Sequence, residues 1–543
     1  MPYQKNDEFQ LQIDGYTAEG SGVGHPDGFA VFVPGGAKGD TVLCHVIKAK
    51  KNYAVARIKE LLTPSPHRIE PDCPVFARCG GCVYRHITYE EELRLKRQRV
   101  EDCFARLGHL QVAVQPVIGG ARTRYRNKAQ YPVSQDENGL QIGFYAERSH
   151  RVIDCKDCLL EPAEFAQIND IFRIFITKHH ISIYDERTGK GLLRHIYLRK
   201  AFATGEIMVT AVINGDTLPH ADALIEMLTK SIPAIRSIYS NTNPEKTNVV
   251  LGKTCRLLWG KGTIEDELCG LRLQLHPLSF YQVNHDQTEL LYRKAAQMLG
   301  LTGEETLLDL YCGAGTIGLS MAQKVKRLIG VEVVPEAIAS AKENARRNGI
   351  AHAEFLCADA ETAAARLQQA GIKPDVVIVD PPRKGCGATL PQTIDRMRPK
   401  KLLYISCDPA TLARDCAALA DLGWQIQSAA PIDLFPGTAH VETVVLLSKG
   451  EIDSKKIRVE FSLEDMDTSG FQQGATYEQI KRRVLEQTGL KVSSLYISQI
   501  KRKCGLEVGQ SYNLSKKENA KQPQCPPEKE KAIREAMKYF GMI

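Results

Sequence analysis

The stretch LLYISCDPATLARD carries a single thiol, Cys407, between an apolar run and the pair Asp408-Pro409. The run at 402–405 reads as a short buried strand and 409–413 as the first turn of a helix, where proline is tolerated because its missing N–H has no intrahelical partner. Cys407 then stands at the carboxyl end of a strand, the edge on which open α/β sheets bind their ligands. A free cysteine there is either a small core residue or a nucleophile. Two neighbouring segments carry what a nucleophile would need: PDVVIVDPPRKG ends a strand at Asp380, and HVETVVLLSKG opens one at Glu442, next to His440. A thiol and two carboxylates around one crevice suit covalent addition followed by removal of a proton.

The elements that must hold these groups are legible on either side. ETLLDLYCGAGTIGLSMAQ reads as strand, turn and helix, and Gly313, Gly315 and Gly318 fit G-x-G-x-x-G, a turn that lets a ligand approach a helix N-terminus. Alone this pattern is compatible with a nicotinamide dinucleotide. The next segment, RLIGVEVVPEAIASAKENARRNG, ends a strand at Glu332, where a carboxylate can hold both hydroxyls of a ribose. AEFLCADAET supplies a third strand, PDVVIVDPPRKG a fourth, and WQIQSAAPIDLFPGTAHVETVVLLSKG an antiparallel closing pair. An Asp-Pro-Pro-Arg turn over the cofactor is how S-adenosylmethionine methyltransferases present a substrate base, so the fold class predicted for 291–449 is α/β, a Rossmann-like class I methyltransferase domain. The thiol then has a specific use. Carbon 5 of uracil is a poor nucleophile until a thiolate adds to C6, and after methylation a base must take the C5 proton so that the cysteine can leave. A helix N-terminus beside Cys407 is expected to lower its pKa.

Upstream of this domain the pattern changes. Residues 1–62 hold four or five short alternating runs separated by Gly-rich turns, which predicts a small barrel. Lys48, Lys50, Lys51, Asn52 and Tyr53 form a basic hairpin with an aromatic tip, suited to RNA phosphates and stacked bases. This segment resembles the TRAM domain, an OB-like RNA-binding barrel. Cys73, Cys79 and Cys82 follow at C-x5-C-x2-C spacing, with Cys155 and Cys158 further on. Four cysteine thiolates fit zinc or an iron–sulfur cluster, and three ligands in one segment with a distant fourth favour a 4Fe–4S cluster. Spacing leaves the fourth ligand open between Cys155 and Cys158. The segment YEEELRLKRQRVEDCFARLG reads as a basic amphipathic helix, and Arg122, Arg124, Arg126 and Lys128 as a basic stretch. Strands recur through the α+β middle at 63–290, and FYQVN is expected to end a strand, with Gln282 free to hydrogen-bond a ligand.

Composition bounds the rest. The 543 residues are 43% hydrophobic and 25% charged, as in a globular protein with several domains, and the net charge of +7 permits a nucleic-acid partner without demanding one. No apolar run has the length of a membrane span and the first residues are polar, so a cytoplasmic chain without membrane contact, acting as a monomer, is expected. Sixteen cysteines in such a chain argue for metal, cluster or thiol chemistry.

The motifs FYQVN, LDLYCGAGTIGL, VIVDPPRKG, ISCDPATLARD and HVET, in this order, resemble the RNA uracil-C5 methyltransferase family, over about residues 10–449. Within it the barrel and the cysteines are more like the RlmD type, which acts on 23S ribosomal RNA, than the tRNA-directed TrmA type. The resemblance implies that Gln282, Tyr311, Glu332 and Asp380 contact S-adenosylmethionine, that Cys407 is the nucleophile and that Glu442 accepts the proton. It also implies that Cys73, Cys79, Cys82 and Cys158 hold a 4Fe–4S cluster, with Cys155 on a non-ligand position. The tRNA T-loop is the alternative substrate, and a non-catalytic RNA-binding factor the alternative class. After about residue 450 the chain departs from the short form of the family. An acidic, polar linker leads into TYEQIKRRVLEQTGLKVSSLYISQIKRKCGL, read as two helices about a Gly turn with Lys501, Arg502 and Lys503 near the end, and into a further helix at the C-terminus. This helical extension is expected to be an additional RNA-docking module.

Overall fold

The computed structural model describes residues 2–137, 139–449, 477–504, 525–540 and 542. The chain divides into two compact units, Met1–Ile452 and Asp453–Ile543; the expected linker falls outside the described residues.

The first unit opens with six strands, β1 (Glu8–Gln12), β2 (Gly15–Tyr16), β3 (Gly22–Gly24), β4 (Ala30–Val33), β5 (Thr41–Ala49) and β6 (Tyr53–Thr63), ordered β1-β5-β6-β4-β3-β2. Alternation along β5 buries Val42, Cys44 and Val46 against Leu11, Val31, Val33 and Ala54, and three register shifts between β5 and β6 bend the ladder over this core. The end of β5 and the turn after it expose Lys48, Lys50 and Lys51, while Tyr53 packs on Phe32 with ring centroids 5.5 Å apart.

Helix α1 (Tyr89–Arg106) follows, capped by Thr88, whose side chain accepts from the Glu91 N–H. A seven-stranded sheet comes next, from β7 (Lys128–Asp136), β8 (Gly139–Tyr145), β9 (Val152–Asp154), β10 (Leu193–Lys200), β11 (Ile207–Ile213), β12 (Ile235–Thr242) and β13 (Thr254–Gly260), ordered β13-β12-β11-β10-β7-β8-β9. Only β11 and β12 run parallel. Helices α2 (Ala163–Lys178) and α3 (Ala221–Ser231) cover it, burying Phe165, Phe172 and Leu228.

A hairpin, β14 (Ile264–Leu268) and β15 (Leu271–Leu275), leads to α4 (His285–Leu299) and the third sheet. Its strands are β16 (Thr306–Asp309), β17 (Arg327–Glu332), β18 (Ala353–Cys357), β19 (Val376–Val379), β20 (Lys401–Ser406), β21 (Gln425–Ile432) and β22 (Glu442–Ser448), ordered β18-β17-β16-β19-β20-β22-β21. All pair in parallel except β22, antiparallel to both its neighbours. All four residues of β19, Val-Val-Ile-Val, are buried, as a strand covered on both faces requires. One face is covered by α4, α5 (Thr316–Met321) and α6 (Pro335–Arg347) through Leu291, Ile317 and Ile338. The other is covered by α7 (Ala360–Gln369), α8 (Leu390–Met397) and α9 (Pro409–Asp421), together with Val100 and Phe104 of α1. The doubly wound α/β architecture expected from the sequence is therefore present. The helix α1, read as a basic amphipathic element, roots its apolar face in this sheet.

The second unit contains α10 (Tyr477–Thr488), α11 (Ser494–Lys503) and α12 (Pro527–Tyr539) around Ile480, Val484, Ile497, Ile500, Ile533 and Met537. Gly489, at φ +70°, ends α10, and the Ser493 hydroxyl caps α11. Among the described residues, no helix is long and apolar enough to cross a membrane.

Candidate active site and its cysteine neighbourhood

The turn after β16 is built on two left-handed glycines, Gly313 at φ +54° and Gly315 at φ +80°, the second capping α5. A Cβ on Gly318 would stand 2.8 Å from Leu328 Cδ1, so the third glycine lets α5 lie on the sheet. The Glu332 carboxylate, at the end of β17, accepts from the Gly313 N–H at 3.2 Å and the Val334 N–H at 2.9 Å. Apart from Gly313 and its two chain neighbours, no atom of the described residues lies within 4 Å of where a Gly313 Cβ would be. An acidic group thus turns towards an open cradle, which suits a polar, ribose-bearing ligand.

FYQVN does not end a strand. It lies in the connection from β15 to α4 and is held from the central sheet: Asn127 Nδ2 donates to the Gln282 carbonyl at 2.7 Å, and the Arg199 guanidinium to the Ser279 carbonyl at 2.7 Å. Asn284 caps α4, accepting from the Gln287 N–H, and its Nδ2 donates to the Leu434 carbonyl at 3.1 Å. Gln282 is half-buried, and Phe280 stands 71% exposed beside it.

Asp380, Cys407 and Glu442 come together at one edge of the sheet. The β20–β22 ladder ends at the Ser406–Thr443 pair, so Cys407 and Glu442 are opposed one step beyond it. Asp380 directly follows β19, the other neighbour of β20. Burial, with Asp380 nearby, holds the Glu442 carboxyl well above the usual carboxylate range. Burial, with Asp309 nearby, raises Asp380 to about 7. Tyr311 is half-buried between this edge and the glycine turn, and burial raises its hydroxyl.

The expected acidification of Cys407 is not what the surroundings produce. Burial and then the Glu442 charge push the thiol up, and only Arg383, within hydrogen-bonding reach, pulls it down. The N-terminus of α9 is already satisfied by Asp408, whose side chain accepts from the Ala410 and Thr411 N–H groups at 3.0 Å each. Arg383 is the residue sequence reasoning passed over, although it stands in the quoted Asp-Pro-Pro-Arg turn.

A buried ionic network holds the loop that leads into Glu442. Lys96 Nζ, on α1, donates to Glu92 Oε1 and Asp433 Oδ1 at 2.7 Å each and to the Phe435 carbonyl at 3.2 Å. All three charged side chains are no more than 1% exposed. The Gly437 N–H donates to Glu92 Oε1 at 2.6 Å, while the Gly437 carbonyl accepts from the N–H groups of Val83 and Tyr84. The loop before Glu442 is therefore gripped from two sides.

The basic stretch at 122–128 is partly consumed within the fold. Arg124 pairs with Asp157 at 2.6 Å, and Arg122 donates to the Tyr84 and Ile87 carbonyls. Lys128 is different: burial, with Arg199 and Arg126 close by, lowers its ammonium to about 8. Arg199 is 2% exposed and has Nε and one terminal nitrogen without partners. Three cations crowded together in this way would welcome an anion.

The five cysteines gather in one small region. Cys73, Cys79, Cys155 and Cys158 share an apolar cluster with Val75, Ala146 and Ile153. Cys82 lies within electrostatic reach of Cys79 and Cys73, and burial pushes its thiol up to about 11 against the pull of Arg85 and Arg126. Among the described residues no group of three or more His, Cys, Asp or Glu side chains closes on a metal-sized point. The thiols are neighbours from two segments, an all-sulfur donor set, and they are not drawn into a coordination polyhedron.

Residues 269–450 match the tRNA (Uracil-5-)-methyltransferase family, and residues 3–59 match the TRAM domain. A Clostridium tetani protein described as an uncharacterized RNA methyltransferase is 45% identical over 449 residues, spanning 82% of this chain and 98% of the relative. A counterpart from Halalkalibacterium halodurans is 44% identical over 448 residues, with the same two shares. Among solved structures, the Pyrococcus abyssi tRNA (uracil-54, C5)-methyltransferase in complex with S-adenosyl-L-homocysteine aligns with a TM-score of 0.67 at 28% identity. That alignment covers 81% of this chain and 99% of that one.

Proposed function

The chain belongs to the RNA uracil-5 methyltransferase family, and from that premise we propose that it methylates carbon 5 of a uridine in 23S ribosomal RNA. The observation that carries the chemistry is the opposition of Cys407 and Glu442 one step beyond the β20–β22 ladder, with Asp380 on the adjoining strand end. The Cys407 thiolate adds to C6 of the uracil and makes C5 nucleophilic. When bound, S-adenosylmethionine supplies the electrophilic methyl group that C5 takes. Glu442 removes the C5 proton, and the C6–S bond then breaks to release the product and the thiolate. Arg383 stabilises that thiolate at both ends of the cycle. Glu332, beside the open cradle at Gly313, is suited to the ribose hydroxyls of the cofactor, with Gln282, Tyr311 and Asp380 completing its surroundings. The target base must leave its stack to reach Cys407, and the Lys128–Arg199–Arg126 cations are suited to the backbone phosphates around it.

For the cysteine region we retain the 4Fe–4S reading, with Cys73, Cys79, Cys82 and Cys158 as ligands, because the resemblance to the ribosomal type rests partly on it. Such a cluster would cross-link the two segments that carry the thiols.

The test is mass mapping of ribosomal RNA and tRNA from a strain lacking the protein, together with methylation of those RNAs by purified wild type and Cys407→Ala. A 5-methyluridine missing from 23S RNA, restored by the wild type and not by the variant, is the expected result. Loss from the tRNA T-loop instead would transfer the proposal to tRNA, and no loss anywhere would overturn it.

A further inference from the structure

The charge of this protein is not evenly spread. Residues 477–543 contain fourteen Lys and Arg against seven Glu and no Asp, a surplus equal to the +7 of the whole chain, so the preceding residues balance. These residues belong to a unit that builds its own core, beyond the region matched by the family, and over the whole of it, 453–543, seventeen Lys and Arg stand against twelve Asp and Glu. Within 477–504 alone there are seven cations and two carboxylates.

The structure changes which of these cations face outward. Lys501, in the triplet singled out from the sequence, is 9% exposed, and Lys503 pairs with Glu530 at 2.7 Å. Arg483 is stacked on Tyr539, its guanidinium carbon 3.8 Å from the ring centroid, and Arg534 pairs with Glu530 at 3.0 Å. These side chains hold the three helices together. Arg502 at the end of α11, Lys491 in the turn before it, and Lys531 and Lys538 on α12 are exposed and, among the described residues, meet no carboxylate.

We infer that the C-terminal unit is a second RNA-binding surface, which holds the phosphate backbone of a structured RNA through Lys491, Arg502, Lys531 and Lys538. This rests on the reading that the substrate is RNA. A cationic surface without base-reading pockets confers affinity without sequence choice, and its signature is steep salt dependence. Such a surface would keep a large RNA close to the enzyme without touching the reaction.

The full chain is compared with K491E/R502E/K531E/K538E, and with the same four positions changed to Gln, by fluorescence anisotropy on a transcript of one 23S ribosomal RNA domain. The charge-reversed variant is expected to bind at least about tenfold more weakly at physiological salt. Its slope of log affinity against log salt should lose about 3, from about 0.7 per phosphate contact, and the Gln variant should fall between. On ribosomal RNA from a strain lacking the protein, kcat at saturating RNA should be unchanged and KM raised. Unchanged affinity and salt slope in the charge-reversed variant would overturn the inference, including the case in which the surface serves an acidic protein. Absence of methylation by every form, with the binding difference intact, would instead count against the proposed function alone.

Discussion

Replacing Lys96 by Met tests whether α1 fixes the approach to Glu442. Met keeps most of the side-chain volume and removes the charge between two carboxylates. Both are fully buried, and the remaining cation, Arg122, stands 3.7 Å from Glu92. Breaking a buried pair by removing one partner typically destabilises by about 3–5 kcal/mol, because the surviving charge stays out of water; here Asp433 would lose its cation and Glu92 would keep only Arg122. The pH dependence supplies the sign. Burial already raises the Glu92 carboxyl above its ordinary value, and losing Lys96 raises it further. A carboxyl raised in the folded state is destabilising at pH above its folded value, and that penalty fades as protonation neutralises it. The loss should therefore be largest near pH 8 and shrink towards pH 5. Urea unfolding followed by tryptophan fluorescence reads this, since both tryptophans, Trp259 and Trp424, lie in the first unit. Trp424 is buried and donates to Asp395 at 2.9 Å, so its emission follows the third sheet. A loss below about 1 kcal/mol at pH 8, or the same loss at pH 5 and 8, would refute the reasoning.

Glu442→Gln should form the bond to C6 and fail to resolve it, so a covalent protein–RNA band should accumulate on a denaturing gel; a clean lane argues against the base assignment. Because the Cys407 thiol is raised above its ordinary value, kcat/KM on RNA should climb about tenfold per pH unit between pH 6 and 8. Arg383→Gln should shift that profile to higher pH; a flat wild-type profile would remove the thiolate from the rate-limiting step. Protein purified without oxygen should carry about four irons and absorb in the visible, Cys79→Ser should lose both, and Cys155→Ser should keep them. Stoichiometric zinc instead would sink the cluster reading.

What could be read from the sequence was what local periodicity writes down. The apolar runs ending at Asp380 and Cys407, the glycine turn and the antiparallel closing pair all lie where their patterns put them, because a strand covered on both faces must be continuously apolar. FYQVN lies outside any strand because its position is decided at long range, by Asn127 just before β7 and Arg199 of β10. The thiol is raised rather than acidified because burial and the Glu442 charge, set by distant strands, outweigh Arg383, and Asp408 takes the helix N-terminus beside it. Lys96 is, in the sequence, one more cation of a basic helix; its partner Asp433 is 337 positions away, and no local pattern announces it. The fate of the basic triplet at 501–503 was hidden for the same reason, since Glu530 and the helix core claim two of its three charges.

That separation of Lys96 from Asp433 also orders events during synthesis. A nascent chain that has emerged as far as α9 carries Glu92 and Lys96 of α1 but not yet Asp433. Cys407 is already made, but the segment carrying its carboxylate partner is not. Cys407 therefore meets no opposing carboxylate until the last strands arrive and Asp433 reaches Lys96 on α1. A chain truncated before Asp433 lacks both the buried partner of Lys96 and Glu442, the carboxylate opposed to Cys407.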